Sequence, residues 1–123
     1  MAIYTEVGWK VLCSNRRSVS SHSNKNPLAL TYPVGIQVFP KMVGSKLFYF
    51  KYRDSAMKFK YQNMVGGLIV SCVALNPTEL DDRIPNYPDD ILTFWTNRKL
   101  VNMWNLISPP SGTWVADSII CLE

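Results

Sequence analysis

The segment from Lys46 to Gln62, KLFYFKYRDSAMKFKYQ, constrains the fold most because apolar and polar or basic side chains alternate along both of its halves. Alternation with a period of two is typical of a strand that buries one face. Asp54 and Ser55 stand between the two halves, and both residue types favour turns. The sequence therefore predicts a β-hairpin that turns at Asp54-Ser55.

The predicted hairpin would have an aromatic face turned to the core and a cationic face turned outward. Lys51 would lie opposite Lys58, Tyr49 opposite Lys60, and Arg53 at the tip. Like charges directly opposite on a ladder destabilise it by up to ~1 kcal/mol, so we expect the outer face to bind an anion. A solvated lysine-rich strand, or an edge protected from aggregation, gives the same pattern.

Phosphate-rich partners fit such a face, either the RNA backbone or anionic lipid headgroups. The loop after the first predicted strand adds two arginines that could extend it. The predicted anion-binding residues are Lys46, Lys51, Arg53, Lys58, Lys60, Arg16 and Arg17, and Tyr49 is the side chain that would stack on a base.

Further strands are predicted on each side of this segment. Ile3–Leu12 alternates with a period of two, and Leu68–Leu75 is an apolar run of the kind buried on both faces. Thr113–Leu122 is the last predicted strand. Residues 27–39 are apolar but contain proline and glycine, which predicts an edge strand or two short strands.

A helix is predicted from about Asp89 to Met103, where acidic residues begin the segment and apolar residues form a stripe. One helical turn is expected at Thr78–Asp82. Residues 14–26 are rich in serine and asparagine and are expected to form a mobile loop. The predicted fold class is α+β, with a twisted, mostly antiparallel sheet packed against one main helix in a single domain, residues 1–123.

Charge is distributed unevenly along the chain. Residues 1–60 carry a net charge of +8 and residues 61–123 carry −4, which gives the overall +4. Such polarity predicts one surface for an anionic partner and another that meets a positive surface, so copies of the chain would associate. Accidental segregation of ordinary surface charges is the alternative.

The residues needed for catalysis are sparse. His22 is the only histidine and lies in the serine-rich loop, and the sequence has no recognised metal-binding or phosphate-loop motif. We therefore predict no enzymatic activity, no catalytic residue, no metal and no cofactor. Cys13, Cys72 and Cys121 lack paired spacing, and we expect three reduced thiols in a reducing compartment.

Any contact with a membrane is expected to be peripheral. The longest nearly apolar run, Met64–Leu75, is shorter than the ~20 residues that a spanning helix needs. The first ten residues, MAIYTEVGWK, lack the charged and apolar regions of a secretory signal.

The C-terminal part of the chain carries a family resemblance. Arg98, Met103-Trp104, Leu106-Ile107 and the run Ser111-Gly112-x-Trp114-Val115-x-Asp117-Ser118-Ile119 resemble the end of rhabdovirus matrix proteins, most of all the vesiculovirus type. The resemblance covers about 22 residues. The family's Pro-Pro-x-Tyr budding motif is absent, and the serine-rich loop stands where a long helix is expected.

This resemblance implies a structural matrix protein of a negative-strand RNA virus. Such a protein self-assembles, binds the nucleocapsid and the anionic inner leaflet of the membrane, and is found in the virion and the host cytoplasm. It takes no small-molecule substrate. Two alternatives remain at this point: a non-enzymatic RNA-binding viral accessory protein of the silencing-suppressor type, and a small ligand-binding β-barrel, to which Gly112-Thr113-Trp114 is weakly similar.

Overall fold

The computed structural model describes residues 4–17, 30–41, 45–63, 66–79, 84–85, 106–107 and 112–123. Nine strands and one helix lie within these ranges. In chain order they are β1 (Thr5–Leu12), β2 (Gln37–Val38), β3 (Leu47–Phe50), α1 (Arg53–Asn63), β4 (Leu68–Leu75), β5 (Thr78–Glu79), β6 (Ile84–Pro85), β7 (Leu106–Ile107), β8 (Thr113–Ala116) and β9 (Ser118–Cys121).

Seven of the strands form one sheet in the order β2-β9-β4-β1-β3-β8-β5. Every pair of neighbouring strands in it is antiparallel. β1 is the central strand, and all eight of its residues pair with β4, from Thr5 opposite Leu75 to Leu12 opposite Leu68. β6 and β7 form a separate two-stranded antiparallel ladder.

The predicted fold class is wrong, because the protein is mostly β rather than an α+β sheet packed against one main helix. The antiparallel sheet is present, but the helix that packs on it among the described residues is the short α1. The predicted main helix, Asp89–Met103, lies outside the described residues. The class was misjudged because the strands are short and numerous, and two-residue strands leave no periodic pattern.

The predicted hairpin is also wrong, because only Leu47–Phe50 is a strand and the turn and second arm belong to α1. Asp54 lies in the first helical turn and Lys60 in the last, where each charge complements the helix dipole. Ala56 and Phe59 are three residues apart, the spacing that places side chains on one helical face. Helix-forming residues between them favour the same outcome.

Other elements follow the sequence more closely. The predicted strands at Ile3–Leu12 and Leu68–Leu75 are confirmed as β1 and β4, and β2 lies at a sheet edge as expected. The expected burial of Leu68–Leu75 on both faces is wrong, since β4 alternates buried with half-buried side chains and Leu68 is exposed. The predicted last strand is divided at Asp117 into β8 and β9. The expected helical turn at Thr78–Asp82 is wrong at its start, since Thr78 and Glu79 form β5.

The sheet buries side chains on both faces. On one face, which we call the thiol face, Leu12, Tyr32, Tyr49, Cys72 and Cys121 belong to the larger cluster, each at most 1% exposed. The sequence also predicts a core of nine residues, and the structure places them at three depths. Phe50 and Val70 are buried, Trp9, Phe48, Phe59 and Trp114 are half-buried, and Leu68 is exposed, whereas Phe94 and Trp95 lie outside the described residues.

On the other face, which we call the helix face, α1 covers the smaller cluster. Ala56 of the helix is fully buried against Val11 of β1 and Phe50 of β3. The rings of Phe50 and Phe59 lie 5.3 Å apart with a tilt of 41° between their planes. A pair of this geometry contributes ~1 kcal/mol beyond its buried area and holds the middle of α1 on the sheet.

Candidate anionic-surface site on α1

Three of the predicted anion-binding residues lie on α1. Arg53 begins the helix, and Lys58 and Lys60 lie in its second half. Residues two apart on a helix are separated by about 200° around the axis, so Lys58 and Lys60 leave from different sides. Lys58 is exposed and Lys60 is half-buried. The helix therefore brings three cations together along its length, but it does not align them on one flat panel.

Arg53 is held in place by two contacts. Its guanidinium carbon lies 5.8 Å from the centre of the Trp9 ring, and Nη1 lies 3.0 Å from Sδ of Met57, one helical turn along. The residue as a whole remains exposed. A cation over an indole ring gains ~0.5–1 kcal/mol at an exposed site, which positions the guanidinium without removing it from solvent.

Lys51 does not belong to an outward panel, contrary to the sequence prediction. Its Nζ lies 4.2 Å from the centre of the Trp114 ring and 4.0 Å from Oε2 of Glu6. The expected position opposite Lys58 does not exist, because Lys58 is on the helix. Lys51 therefore neutralises an internal carboxylate and is a weak candidate for binding an external anion.

Lys46 is likewise used within the chain. Its Nζ lies 2.7 Å from Oδ1 of Asp117, in the break between β8 and β9. This hydrogen bond from Lys46, with a second from Asn76, lowers the pKa of the Asp117 carboxyl despite its partial burial. Lys46 precedes β3, whereas α1 follows it, so the two lie at opposite ends of that strand.

Arg16 and Arg17 are fixed at the β2 side of the sheet. Arg16 Nε donates to the carbonyl of Tyr32 at 2.8 Å, and Nη2 donates to the carbonyl of Glu123 at the same distance. Arg17 forms an isolated bridge with Thr31. Arg16 therefore has a structural role that the predicted loop did not include. Its guanidinium is bonded to backbone oxygens near β2 and β9 and does not join the cations of α1.

Tyr49 cannot serve as a base-stacking side chain in this fold. It is 1% exposed, and its hydroxyl donates to Oε1 of Glu6 at 3.4 Å. Burial, and then the charge of Glu6, raise the pKa of the Tyr49 hydroxyl. The prediction failed because the hairpin register would have placed Tyr49 on the outer face.

Two tyrosines that the sequence does not single out are exposed at α1. Tyr52 immediately precedes α1 and is 58% exposed, and Tyr61 near the helix end is 76% exposed. The predicted hairpin would put both tyrosines on its aromatic face, turned to the core. In a helical projection of residues 53–63, Tyr61 lies about 140° around the axis from the buried Ala56. This angle indicates that Tyr61 points away from the sheet once the segment is helical.

A ligand-binding barrel would bring Phe48, Phe59 and Trp114 together around one apolar cavity, and the described fold separates them. Phe59 packs on the helix face of the sheet, whereas Trp114 packs against the cluster on the thiol face.

The described residues contain no group of three or more His, Cys, Asp or Glu side chains arranged to hold a metal ion. No helix within the described ranges has the length and apolar character needed to span a bilayer.

Comparisons with known proteins found no matching family model, curated protein or solved structure.

Proposed function

We propose that this chain is a non-enzymatic structural protein of the matrix type, which self-assembles and binds an anionic membrane surface peripherally through α1. The observation that supports this most is the exposure of Tyr61 beside Lys58 on the outer side of the helix. Arg53 and Lys60 lie on the same helix, and Tyr52 lies just before it. The nucleocapsid would be the second partner of the assembled protein.

A surface that mixes tyrosines with lysines suits the headgroup region of a bilayer. Tyrosine places an apolar ring against the acyl boundary and keeps its hydroxyl in water. Lysine and arginine extend their charged ends to lipid phosphates while their methylene stems cover apolar surface. α1 is also the element of the described fold with the most cations for its length, three in 11 residues.

The expected affinity of one copy is low. Each basic residue near an anionic leaflet contributes ~1 kcal/mol, so three would give ~3 kcal/mol, or roughly a hundredfold enrichment at the surface. Asp54, in the first turn of the same helix, reduces this value. An assembled array would bind far more tightly because its second and later contacts are intramolecular. The proposed membrane binding therefore requires self-assembly, because one copy alone binds weakly.

The uneven charge of the chain supports self-assembly. The first sixty residues are strongly basic and the remainder is acidic. Strands of the two parts are interleaved in the sheet, so self-assembly would depend on patches of unlike charge on two copies rather than on two separate charged halves. Binding to RNA through base stacking is less well supported, since Tyr49 is buried and bonded to Glu6. It enters the test below as the competing result.

Sedimentation with liposomes tests the membrane proposal. We expect the protein to pellet with vesicles that contain about 30% phosphatidylserine, to remain free with neutral vesicles, and to dissociate as NaCl rises from about 0.05 to about 0.5 M. The double substitution Lys58→Glu and Lys60→Glu should lower the partition coefficient at least tenfold. Tyr61→Ser should lower it less.

Lys41→Glu is the matched control, because Lys41 is an exposed lysine outside α1 and its substitution alters net charge in the same direction. The control reverses one charge and the double variant reverses two, so a loss of binding free energy in the control about half that of the double variant would show that net charge alone drives binding. An RNA gel shift on the same proteins separates the alternatives. Retained liposome binding in the double variant, or RNA binding without lipid binding, would reject the proposal.

Self-assembly is tested separately by light scattering over a range of protein concentrations. The weight-average molar mass should rise with concentration at low salt and fall when salt screens the attraction between oppositely charged patches. A constant monomer mass at all concentrations would contradict the matrix type even if α1 binds lipid.

A further inference from the structure

Two cysteines face each other across neighbouring strands inside the sheet. Cys72 of β4 is paired directly with Cys121 of β9, and both are fully buried on the thiol face. They lie far apart in sequence, and nothing in their spacing indicated the pairing. Cys13, the third cysteine, lies after β1 and is only half-buried.

The hydrogen bonding beside this pair defines its geometry. Leu122 N donates to the carbonyl of Ser71 at 2.9 Å, which makes the next pair along the ladder a hydrogen-bonded one. Hydrogen-bonded and non-hydrogen-bonded pairs alternate in an antiparallel ladder, so Cys72 and Cys121 form a non-hydrogen-bonded pair. Cα atoms in such pairs are about 4.5 Å apart. This separation lies within the range of about 4.4–6.8 Å that a disulfide spans.

Two cations lie close enough to act on these sulfurs. Burial raises the pKa of the Cys72 thiol to about 12, and the nearby charge of Lys10 opposes that rise. Burial also raises the pKa of Cys121, opposed by Lys10 and by a hydrogen bond from Arg16. Cys121 has two cationic neighbours and Cys72 has one. The thiolate of Cys121 is therefore the better stabilised nucleophile of the pair.

Lys10 is itself an unusual neighbour for two thiols. It is 7% exposed, its Nζ donates to the carbonyl of Phe48, and it lies 4.7 Å from the centre of the Tyr32 ring. Among the described residues no carboxylate forms an ion pair with it. A buried ammonium without a carboxylate partner favours negative charge on an adjacent sulfur.

We propose that Cys72 and Cys121 are an oxidation site, at which a low-molecular-weight disulfide such as oxidised glutathione converts the two thiols into a disulfide joining β4 to β9. The Cys121 thiolate attacks one sulfur of the oxidant, whose S–S bond breaks and releases one thiolate. Cys72, as its thiolate, then attacks the Cys121 sulfur of the mixed disulfide and expels the second thiol. The two cysteines lose two protons and two electrons in total, and the oxidant gains them as two free thiols.

The site would respond slowly while the sheet is closed. Both sulfurs are buried, so the oxidant reaches them only when β9 separates briefly from β4. Once formed, the bond prevents β9 from separating from β4. Because β2 pairs in the sheet only with β9, the bond also holds β2 to the rest of the sheet. Oxidation would thus lock the β2–β9 edge onto the central strands. This inference does not depend on membrane binding.

Incubation of the reduced full chain with oxidised glutathione tests the proposal. Intact mass should fall by about 2 Da, and peptide mapping should recover a 72–121 linkage. The melting temperature should rise by roughly 10 °C over the reduced protein, because the bond closes a loop of about 50 residues. Cys13→Ser is the matched control and should keep both the linkage and the thermal shift.

Cys121→Ser should lose the linkage and the shift. Alkylation of the reduced and the oxidised wild-type protein with a maleimide after denaturation gives the same answer without any variant: three reactive thiols when reduced, and one when oxidised. A glutathione adduct on Cys13 with both other thiols still free after prolonged oxidation would overturn the proposal. A linkage between Cys13 and either partner would overturn it as well.

Discussion

The ring of Tyr49 lies against the backbone of Gly8 so closely that a β-carbon on residue 8 would stand 2.5 Å from Cδ2 of that ring. The same β-carbon would lie 2.9 Å from the carbonyl oxygen of Phe50. Backbone and a buried ring border the position, and neither can move without disturbing the sheet. Glycine is therefore required at this position of β1, where the Tyr49 ring of the neighbouring strand β3 lies across the backbone.

Gly8→Ala should lower the free energy of unfolding by ~2–3 kcal/mol, because the added methyl group overpacks a buried site. Urea denaturation followed by circular dichroism measures the loss. Gly66→Ala is the control, since no heavy atom lies within 4 Å of the β-carbon it would add, and it should change stability by less than ~0.5 kcal/mol. Equal effects at both positions would contradict this account.

Gly112→Ala combines two costs. Residue 112 has φ +79°, and its added β-carbon would lie 2.5 Å from Oγ of Ser55 on α1. We expect a loss of ~2–3 kcal/mol in unfolding free energy, reduced when Ser55→Ala is introduced alongside. Gly35→Ala isolates the backbone term, because Gly35 has φ +76° with no atom within 4 Å, and it should cost ~1 kcal/mol.

The effect of Lys10→Met on the free energy of unfolding should change sign as pH rises. Burial, opposed by the neighbouring thiols, lowers the pKa of Lys10 to about 8 from its ordinary 10.5. Below pH 8 both states bind the proton, and the folded state bears the full cost of the buried charge. Between pH 8 and 10.5 the unfolded state binds more protons, so wild-type stability rises relative to the variant by ~3 kcal/mol.

The carbonyl of Phe48 loses the Lys10 donor in this variant, at a cost of ~1–2 kcal/mol. Lys10→Met should therefore be more stable than wild type at pH 7 and less stable at pH 10.5. Urea denaturation of both proteins in reducing buffer gives the difference, in which the ionisation of other groups largely cancels. A difference that does not vary with pH would show that the lysine is not buried as described.

Asp117→Asn should cost less than ~1 kcal/mol, because the ion pair with Lys46 is substantially exposed, at 36% and 51% for the two side chains. The pKa of Asp117 is lowered in the folded state, so its contribution is present above the ordinary value of 3.8 and is lost as pH falls below it. Thermal melts should show a difference in melting temperature between wild type and variant at pH 7, and that difference should shrink near pH 2.5. A loss that persists in acid would point to the bond with Asn76 instead.

The parts of the fold that the sequence predicted are those in which one long strand carries its own pattern. β1 alternates buried and more exposed side chains over several residues, and β4 is apolar along most of its length. Two-residue strands such as β2 and β5 form because neighbouring chain segments lie beside them. Sequence periodicity could not have indicated most of these short strands, and so the class was misjudged.

The candidate site was predicted in composition but not in arrangement. The alternation at Met57, Phe59 and Tyr61 covers too few residues to distinguish a strand from a helix. Ala56, together with an acidic residue in the first turn and a basic residue in the last turn, favours the helix. Once the segment is helical, Tyr61 becomes exposed and Lys58 and Lys60 diverge. The contacts of Lys51 and Lys46 depend on strands far away in sequence, which no local pattern reveals.

The central position of β1 also determines how the protein must fold. Its ladder with β4 joins residues 5–12 to residues 68–75, so the middle of the sheet is completed only after roughly sixty intervening residues have been brought together. Chains dominated by such distant pairings refold in milliseconds to seconds rather than microseconds. During synthesis β1 must therefore wait, with valines and a tryptophan exposed to chaperones, until β3 and then β4 emerge to pair with its two edges.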